Sequence, residues 1–184
     1  MQGTSRLKGL RVYLSGPCEH AKDAGGGWRT EILPKLKDLG LVVYDPVNMP
    51  GKLSFIDVKE KQFKYVKDLR DEGKFTELEK CMKEVVHLDL RFVDSADVLI
   101  VQLDVNSPTT GTIDEIITAC NQRKPVYVCS KQGIKSIPLW LFGRIPLRYM
   151  FESLDEILKE LSNIAYSDAN VDCKRWLFVN NLGL

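Results

Sequence analysis

The sequence predicts an α/β protein built on a parallel β-sheet. The run 96–103 is almost continuously apolar and is followed by turn-forming residues, a pattern typical of a strand buried on both faces. Two shorter strands, 10–14 and 41–44, flank a segment with helical spacing, and this order predicts a right-handed βαβ unit. The chain has 184 residues, which is the size of one domain with a large core.

Apolar residues at three- and four-residue steps predict the first helix: Trp28, Ile32, Leu36 and Leu39. Gly40 supplies a stop signal. Pro34 is tolerated only near a helix start, so this helix is expected to begin late or to kink.

Arg29 lies near the amino end of this helix, close to the loop that contains Ser15, Gly16 and the glycines 25–27. Two interpretations of Arg29 remain open: it pairs with a ligand phosphate, or it is an exposed surface arginine. The glycines lack the GxGxxG spacing of a dinucleotide site. The loop is therefore either a flexible linker or a segment whose backbone comes close to a ligand.

The segment 52–94 is predicted to be helical and to be interrupted near Gly73. Its first half has one apolar face: Phe55, Phe63, Val66 and Leu69. Its second half has an apolar stripe: Phe75, Leu78, Met82, Val85 and Phe92. Asp89 falls within this stripe, whereas His87 and Arg91 project away from it. A buried carboxylate must be paired or hydrogen-bonded, so Asp89 is either a satisfied structural aspartate or a site residue.

Two further strands are predicted at 124–129 and 147–151, and the capping-box sequence Ser153–Glu156 predicts another helix. Asp97, before the third strand, is interpreted as a turn residue. The chain divides into a loose segment 1–8, an α/β domain 9–166 and a tail 167–184. The apolar tail is expected to dock on this subunit or on a neighbouring one.

The stretch 104–116 follows the third strand and is the best candidate for a functional loop. Ligands of open α/β sheets bind beyond the carboxyl ends of such strands. Glu115 has two interpretations: Thr112–Glu115 matches a capping box, or Glu115 is an ionised carboxylate at a helix start that acts as a nucleophile. The same stretch contains further candidate substrate-binding residues: Asp104, Asn106, Gly111 and Thr112.

The composition restricts the partners of the protein. Lys and Arg total 26 against 25 Asp and Glu, so we expect no nucleic-acid polymer and no membrane as partner. No apolar run approaches the roughly 20 residues of a membrane span, and the first eight residues are no secretory signal. The five cysteines lack ligand spacing, which predicts a reducing, cytoplasmic location with neither metal nor cofactor.

Three stretches, taken in order, resemble the nucleoside 2-deoxyribosyltransferase family and related nucleotide N-glycoside hydrolases: 12–17, 89–97 and 111–116. The resemblance implies a single-domain, doubly wound, Rossmann-like sheet of five parallel strands flanked by helices. It also implies that Glu115 is the nucleophile, with Asp89 beside it. Tyr13 would position the nucleophile, and Gly16 would line the sugar site.

The resemblance implies transfer of a 2-deoxyribosyl group between nucleobases through a covalent glutamyl-sugar intermediate. One alternative is hydrolysis of (deoxy)nucleoside 5′-monophosphates, with Arg29, Ser15 and the glycine loop holding the phosphate. A second alternative is a non-catalytic nucleotide-binding module. The chain has the sequence 107–110 where transferases commonly place an acidic residue that contacts the base. The expected partners are a nucleoside or nucleotide, a free nucleobase and further copies of this chain.

Overall fold

The computed structural model describes residues 4–19, 21, 23, 25–47, 59–107 and 110–166. Within these ranges the chain forms one sheet in the order β2-β1-β3-β4-β5, and all neighbouring strands are parallel. The strands are β1 (Arg11–Ser15), β2 (Val42–Tyr44), β3 (Val98–Leu103), β4 (Val126–Ser130) and β5 (Met150–Phe151). The predicted five-stranded parallel α/β fold is confirmed.

The last strand is shorter than predicted. Leu147–Tyr149, expected to be part of the strand, forms a 3-10 turn instead. Pro146 precedes this turn, and its carbonyl accepts a hydrogen bond from the backbone N–H of Tyr149 at 2.9 Å. The turn leaves only Met150 and Phe151 extended against β4.

The helices of the described chain are α1 (Gly26–Asp38), α2 (Lys59–Asp71), α3 (Phe75–Ser95), α4 (Thr110–Asn121), the short α5 (Leu139–Phe142) and α6 (Leu154–Tyr166). α1 packs with α6, and α3 packs with α4 and β1. Alternation along β1 distinguishes the two faces of the sheet. The Tyr13 side chain reaches α4, whereas a side chain at position 16 would point at Trp28 and Arg29 of α1.

The winding of the chain reverses between β1 and β3. From β1 the chain moves outward to β2, and from β3 it moves outward in the other direction to β4 and β5. In such doubly wound sheets the ligand crevice lies at the carboxyl ends of the strands where the order reverses. β3 and β4 are buried along their full lengths, so the centre of the sheet is covered on both faces.

α1 begins earlier than predicted and ends where predicted. Its first residue is Gly26, and the Asp23 carboxylate accepts hydrogen bonds from the backbone N–H groups of Gly25 and Gly27 at 3.0 and 2.6 Å. Pro34 therefore lies inside the helix. Gly40 has a φ of 84° and closes the carboxyl end with a backbone hydrogen bond.

α2 and α3 form a helical hairpin with a small apolar cluster of its own. The predicted interruption is confirmed, since Gly73 lies between the helices with a φ of 71°. The cluster contains Leu69, Cys81, Tyr65, Val66, Leu78 and Val85. Phe75 and Met82 were expected on the buried stripe, but they are exposed, and Phe75 is 66% accessible. Leu78 and Val85 pack in this cluster as predicted, with Cys81 buried where Met82 was expected, and Phe92 packs against the main core.

Part of the predicted loose amino-terminal segment is anchored to the domain. Leu7 is buried in the core, the N–H of Arg6 donates to the carbonyl of Ala165 at 3.0 Å, and Ser5 Oγ donates to the carbonyl of Leu39 at 2.6 Å. The predictions for the tail 167–184, and for Phe55, lie outside the described residues. A search of the described helices finds no segment long and apolar enough to cross a membrane.

Candidate active site

Glu115 of α4 is fastened to β1 through both oxygens of its carboxylate. The Tyr13 hydroxyl donates to Oε1 at 2.8 Å, and the Ser15 hydroxyl donates a short hydrogen bond to Oε2. Tyr13 and Ser15 are two residues apart on one strand, so their side chains leave the same face of the sheet. Ser15 is the last residue of β1, which places the carboxylate at the strand's carboxyl end beside the reversal of the winding.

The capping-box interpretation of Glu115 is wrong. α4 begins at Thr110, so Thr112 lies inside the helix and is not its cap residue. A helix terminus acts most strongly on charges in the first turn, and Glu115 lies beyond that turn. Its side chain, only 9% exposed, is held by the hydroxyl donors of β1.

Tyr13 is a permanent hydrogen-bond donor to this carboxylate. Burial raises the pKa of Tyr13 well above 10.0, and the negative charges of Glu115 and Asp89 raise it further. The phenol therefore keeps its proton throughout the physiological range. Two neutral donors on one carboxylate stabilise its ionised form.

Asp89 lies near this group, on α3. It is half-buried, and it is close enough to Tyr13 for its charge to raise the pKa of the phenol. His87 and Arg91 are exposed, as the helical spacing predicts. The fold therefore brings Tyr13, Ser15, Asp89 and Glu115 together from three elements, β1, α3 and α4.

Arg29 occupies a different environment from either of the predicted ones. Its side chain is 0% exposed, so the prediction of a surface arginine is wrong. The guanidinium donates to the backbone carbonyls of Leu14, Gly16 and Gly25 at 3.2, 3.0 and 2.6 Å. The structure does not support the prediction of a phosphate contact, because a fully buried guanidinium with these partners does not face a ligand.

Asp104, the first of the predicted substrate-binding residues after β3, is held by several contacts. The Asp104 carboxylate accepts from the side chain of Gln132 at 2.8 Å and the N–H of Asn106 at 3.0 Å, and Lys131 lies 3.3 Å away. The Gln132 hydrogen bond lowers the pKa of Asp104, and the contact with Lys131 adds to this effect. These contacts tie the loop after β3 to the loop after β4.

The other three candidates lie on or beside that loop. Asn106 and Gly111 are exposed, and a side chain at Gly111 would meet nothing within 4 Å. Thr112 is buried, one turn before Glu115 on α4. Gly16 packs tightly, since a Cβ there would lie 2.8 Å from the carbonyl oxygen of Gln102.

Sequence reasoning missed two features of the site. Ser15 was considered only as a phosphate ligand, although the two-residue alternation of β1 would place it beside Tyr13. The ion pair between Arg29 and Asp45, 3.8 Å apart and buried, has no local signal in the sequence. Among the described residues, no group of three or more His, Cys, Asp or Glu is arranged to bind a metal.

Three solved structures share this architecture. A 2-deoxyribosyltransferase from Bacillus psychrosaccharolyticus matches with a TM-score of 0.54 and 20% identity, over 81% of this chain and 90% of that chain. A 2-deoxyribosyltransferase from Leishmania mexicana matches with a TM-score of 0.51 and 13% identity, over 83% and 97%. A conserved protein from Enterococcus faecalis V583 matches with a TM-score of 0.56 and 16% identity, over 84% and 98%.

No protein-family model and no curated protein sequence matches this chain. The structural matches cover most of this chain and at least nine-tenths of each neighbour, so the likeness extends over the whole domain. At these low identities it concerns the course of the backbone. This chain has the fold of the 2-deoxyribosyltransferases.

Proposed function

We propose that the protein transfers a 2-deoxyribosyl group between nucleobases, with Glu115 as the nucleophile. The observation that carries the proposal is the Glu115 carboxylate, buried at the carboxyl end of β1 and held there by two hydroxyl donors. A carboxylate oriented in this way can approach the anomeric carbon of a sugar from one defined direction. Two structures with this fold are 2-deoxyribosyltransferases, which supports the same reaction class here.

The proposed reaction has two displacements. First, a Glu115 oxygen bonds to C1′ while the C1′–N bond breaks, and its electron pair leaves with the base. The base takes up a proton from water. Next, a nitrogen of the second base attacks C1′, the glutamyl ester bond breaks, and that nitrogen loses its proton to water. Two inversions at C1′ give a nucleoside with the original configuration.

The hydroxyl donors have a defined role in this scheme. Hydrogen bonds from Tyr13 and Ser15 fix the orientation of the Glu115 carboxylate before the sugar arrives. Positive charge develops on the sugar as the glycosidic bond breaks, and Asp89 and Glu115 provide negative charge to stabilise it.

The environment of Arg29 favours a nucleoside over a nucleoside 5′-monophosphate as substrate. The monophosphate alternative used this guanidinium as the phosphate ligand, and all three of its nitrogens donate to backbone carbonyls. Hydrolysis of the monophosphate remains the second candidate because Ser15 and Gly16 still border the site.

Product analysis tests the proposal. Incubation with deoxyinosine and free adenine should give deoxyadenosine and hypoxanthine, separable by chromatography. Deoxynucleoside monophosphates, incubated without an acceptor base, should release little base. Base release from the monophosphates alone would favour the hydrolase. Tight nucleotide binding with no product from any substrate would favour the non-catalytic binding module.

A mechanism-based label tests the nucleophile. A 2-deoxy-2-fluoro-nucleoside slows breakdown of a glycosyl ester, so the intact mass of the protein should increase by one fluorosugar. Peptide mapping should find the sugar on Glu115. Asp114→Asn is the matched control, because Asp114 is the exposed neighbour on the same helix and should not affect labelling. Labelling of Glu115→Gln would contradict the assignment.

Homo-oligomerisation and a cytoplasmic location remain predictions from the sequence.

A further inference from the structure

Arg29 is a fully buried charged residue whose hydrogen bonds concentrate on one short stretch of backbone. Its guanidinium donates through Nε to the carbonyl of Leu14, through Nη2 to that of Gly16 and through Nη1 to that of Gly25. A buried charge is costly to desolvate, so it persists only where partners compensate. These partners all belong to the end of β1 and to the loop that follows it.

Two further contacts fix the plane of the guanidinium. Asp45, buried directly after β2, places Oδ1 3.8 Å from Nε and also accepts the backbone N–H of Val47 at 2.8 Å. The ring of Trp28 lies 4.6 Å from the guanidinium carbon. A planar fork held by an ion pair and an aromatic face has one orientation in which it can donate to several carbonyls.

The two carbonyls bound by Nε and Nη2 belong to Leu14 and Gly16, the residues on either side of Ser15. The Leu14 carbonyl belongs to the peptide plane directly before Ser15, and the Gly16 carbonyl belongs to the Gly16–Pro17 peptide, the second plane after it. Holding both carbonyls restricts the backbone on either side of Ser15, and this backbone sets the direction of its side chain. That side chain points to the opposite face of the sheet, where its hydroxyl donates to Glu115. The close approach of Gly16 to the carbonyl of Gln102 limits movement of this backbone further.

We propose that Arg29 is a positioning residue, which acts through the backbone around Ser15 to direct the Ser15 hydroxyl at Glu115. Arg29 itself contacts neither Glu115 nor the substrate. Its role in turnover rests on the proposed function, but its effect on the Ser15–Glu115 hydrogen bond does not. The two parts can therefore be tested separately.

The first test needs no substrate. The side-chain carboxyl of Glu115 is titrated by carbon-13 NMR in the wild type, in Ser15→Ala and in Arg29→Lys. Lysine keeps the positive charge but loses the fork that binds two carbonyls at once. Both variants should raise the pKa of Glu115, since each weakens a hydrogen bond to its ionised form. The double variant should titrate like Ser15→Ala alone. An unchanged titration in Arg29→Lys would overturn the proposal.

Arg11→Lys is the matched control. Arg11 lies at the other end of β1, where its guanidinium donates to both carboxylate oxygens of Asp97 at 2.8 and 3.0 Å. This substitution should lower stability and leave the titration of Glu115 unchanged. If Arg29→Lys does not fold, Asp45→Asn replaces it, because loss of the ion pair should loosen the same fork. A normal Glu115 titration in a folded Asp45→Asn would count against the proposal.

The second test uses turnover. Arg29→Lys should lower kcat for deoxyribosyl transfer roughly tenfold with little change in KM, because a small misplacement of a reacting group affects the rate of chemistry. Combined with Ser15→Ala it should cause no further loss. If the decreases in kcat of the two single variants multiply in the double variant, Arg29 has a purely structural role. A different result is that the protein transfers no sugar while the Glu115 titrations change as predicted in the single and double variants. That result would refute the proposed function and leave the positioning role intact.

Discussion

Two segments of this protein have the same four-residue pattern and use it differently. Ser153–Glu156 caps α6: the Ser153 hydroxyl accepts the backbone N–H of Glu156 at 3.3 Å, and the Glu156 side chain accepts the N–H of Glu152 at 2.9 Å. Thr112–Glu115 does not cap α4, which begins at Thr110. The pattern therefore predicts a cap only where no stronger partner competes for the glutamate.

The difference follows from the surroundings of the two glutamates. Glu156 is exposed, so the nearest backbone N–H groups and water are its available partners. Glu115 faces the sheet and is buried, so its charge requires donors at that place. Tyr13, which supplies one of them, is 102 residues away along the chain. Tertiary packing thus converts a local capping signal into a candidate catalytic group.

The largest expected effect comes from exchanging each of the two glutamates for glutamine. Glu115→Gln should lower the transfer rate at least about a thousandfold, because an amide is a poor nucleophile. Its secondary structure, measured by circular dichroism, should be preserved. Glu156→Gln should transfer at the wild-type rate. Equal rates in both variants would mean that Glu115 is as structural as Glu156.

Tyr13→Phe tests what the buried glutamate requires. The variant keeps the ring but removes one donor, leaving a buried carboxylate oxygen without that hydrogen bond. We expect a loss of about 1–3 kcal/mol in the free energy of unfolding, measured by urea denaturation, and a loss of activity of roughly tenfold or more. If Tyr13→Phe kept the stability and the transfer rate of the wild type, Glu115 would not depend on the hydrogen bond from Tyr13.

The fold was predictable because its signals are local or repetitive. The buried strands have apolar runs, and Gly40 and Gly73 mark helix ends where a positive φ is needed. The family resemblance led to the same architecture, which the neighbouring structures confirm at the level of the fold. Strand and helix limits shifted by a few residues, as at β5, where a turn after Pro146 shortens the strand.

The site was only partly predictable because its partners come from distant elements. Glu115, Asp89 and Tyr13 were identified by resemblance and by position, but neither indicates which hydroxyl meets which oxygen. Arg29 was misjudged because its spacing on the helix does not indicate that Asp45 and three carbonyls enclose it. Burial of a charge depends on packing from several elements, and no single window of sequence contains that information.

Asp97 offers a sharper contrast, since it is a second acid bound to β1, at the strand's opposite end. It accepts from the Arg11 backbone N–H and guanidinium. Burial alone would raise the pKa of Asp97, but the hydrogen bonds and charge of Arg11 outweigh it and lower the pKa below 3.8. Its contribution to stability is therefore complete above that ordinary value and is lost as the pH falls through the lowered one.

Asp97→Asn should cost about 1 kcal/mol of unfolding free energy at pH 7, a modest value because Arg11 is largely exposed. The difference from the wild type should shrink in urea denaturation below about pH 4, where the carboxylate begins to be protonated. Transfer activity should not change, since this pair lies at the amino end of the strand. A pH-independent difference would mean that the ion pair contributes nothing.

The smallest expected effect belongs to the cap itself. Ser153→Ala removes the acceptor for the Glu156 N–H and should cost about 0.5 kcal/mol, near the lower limit for cap residues because this helix start is exposed. Thr112→Ala should behave differently, because Thr112 is buried inside α4 and its loss creates a small void beside the turn that carries Glu115. Urea denaturation of both variants, together with their transfer rates, separates the two roles. A lower rate in Ser153→Ala, or identical stability and rate in both variants, would mean that the two motifs are equivalent after all.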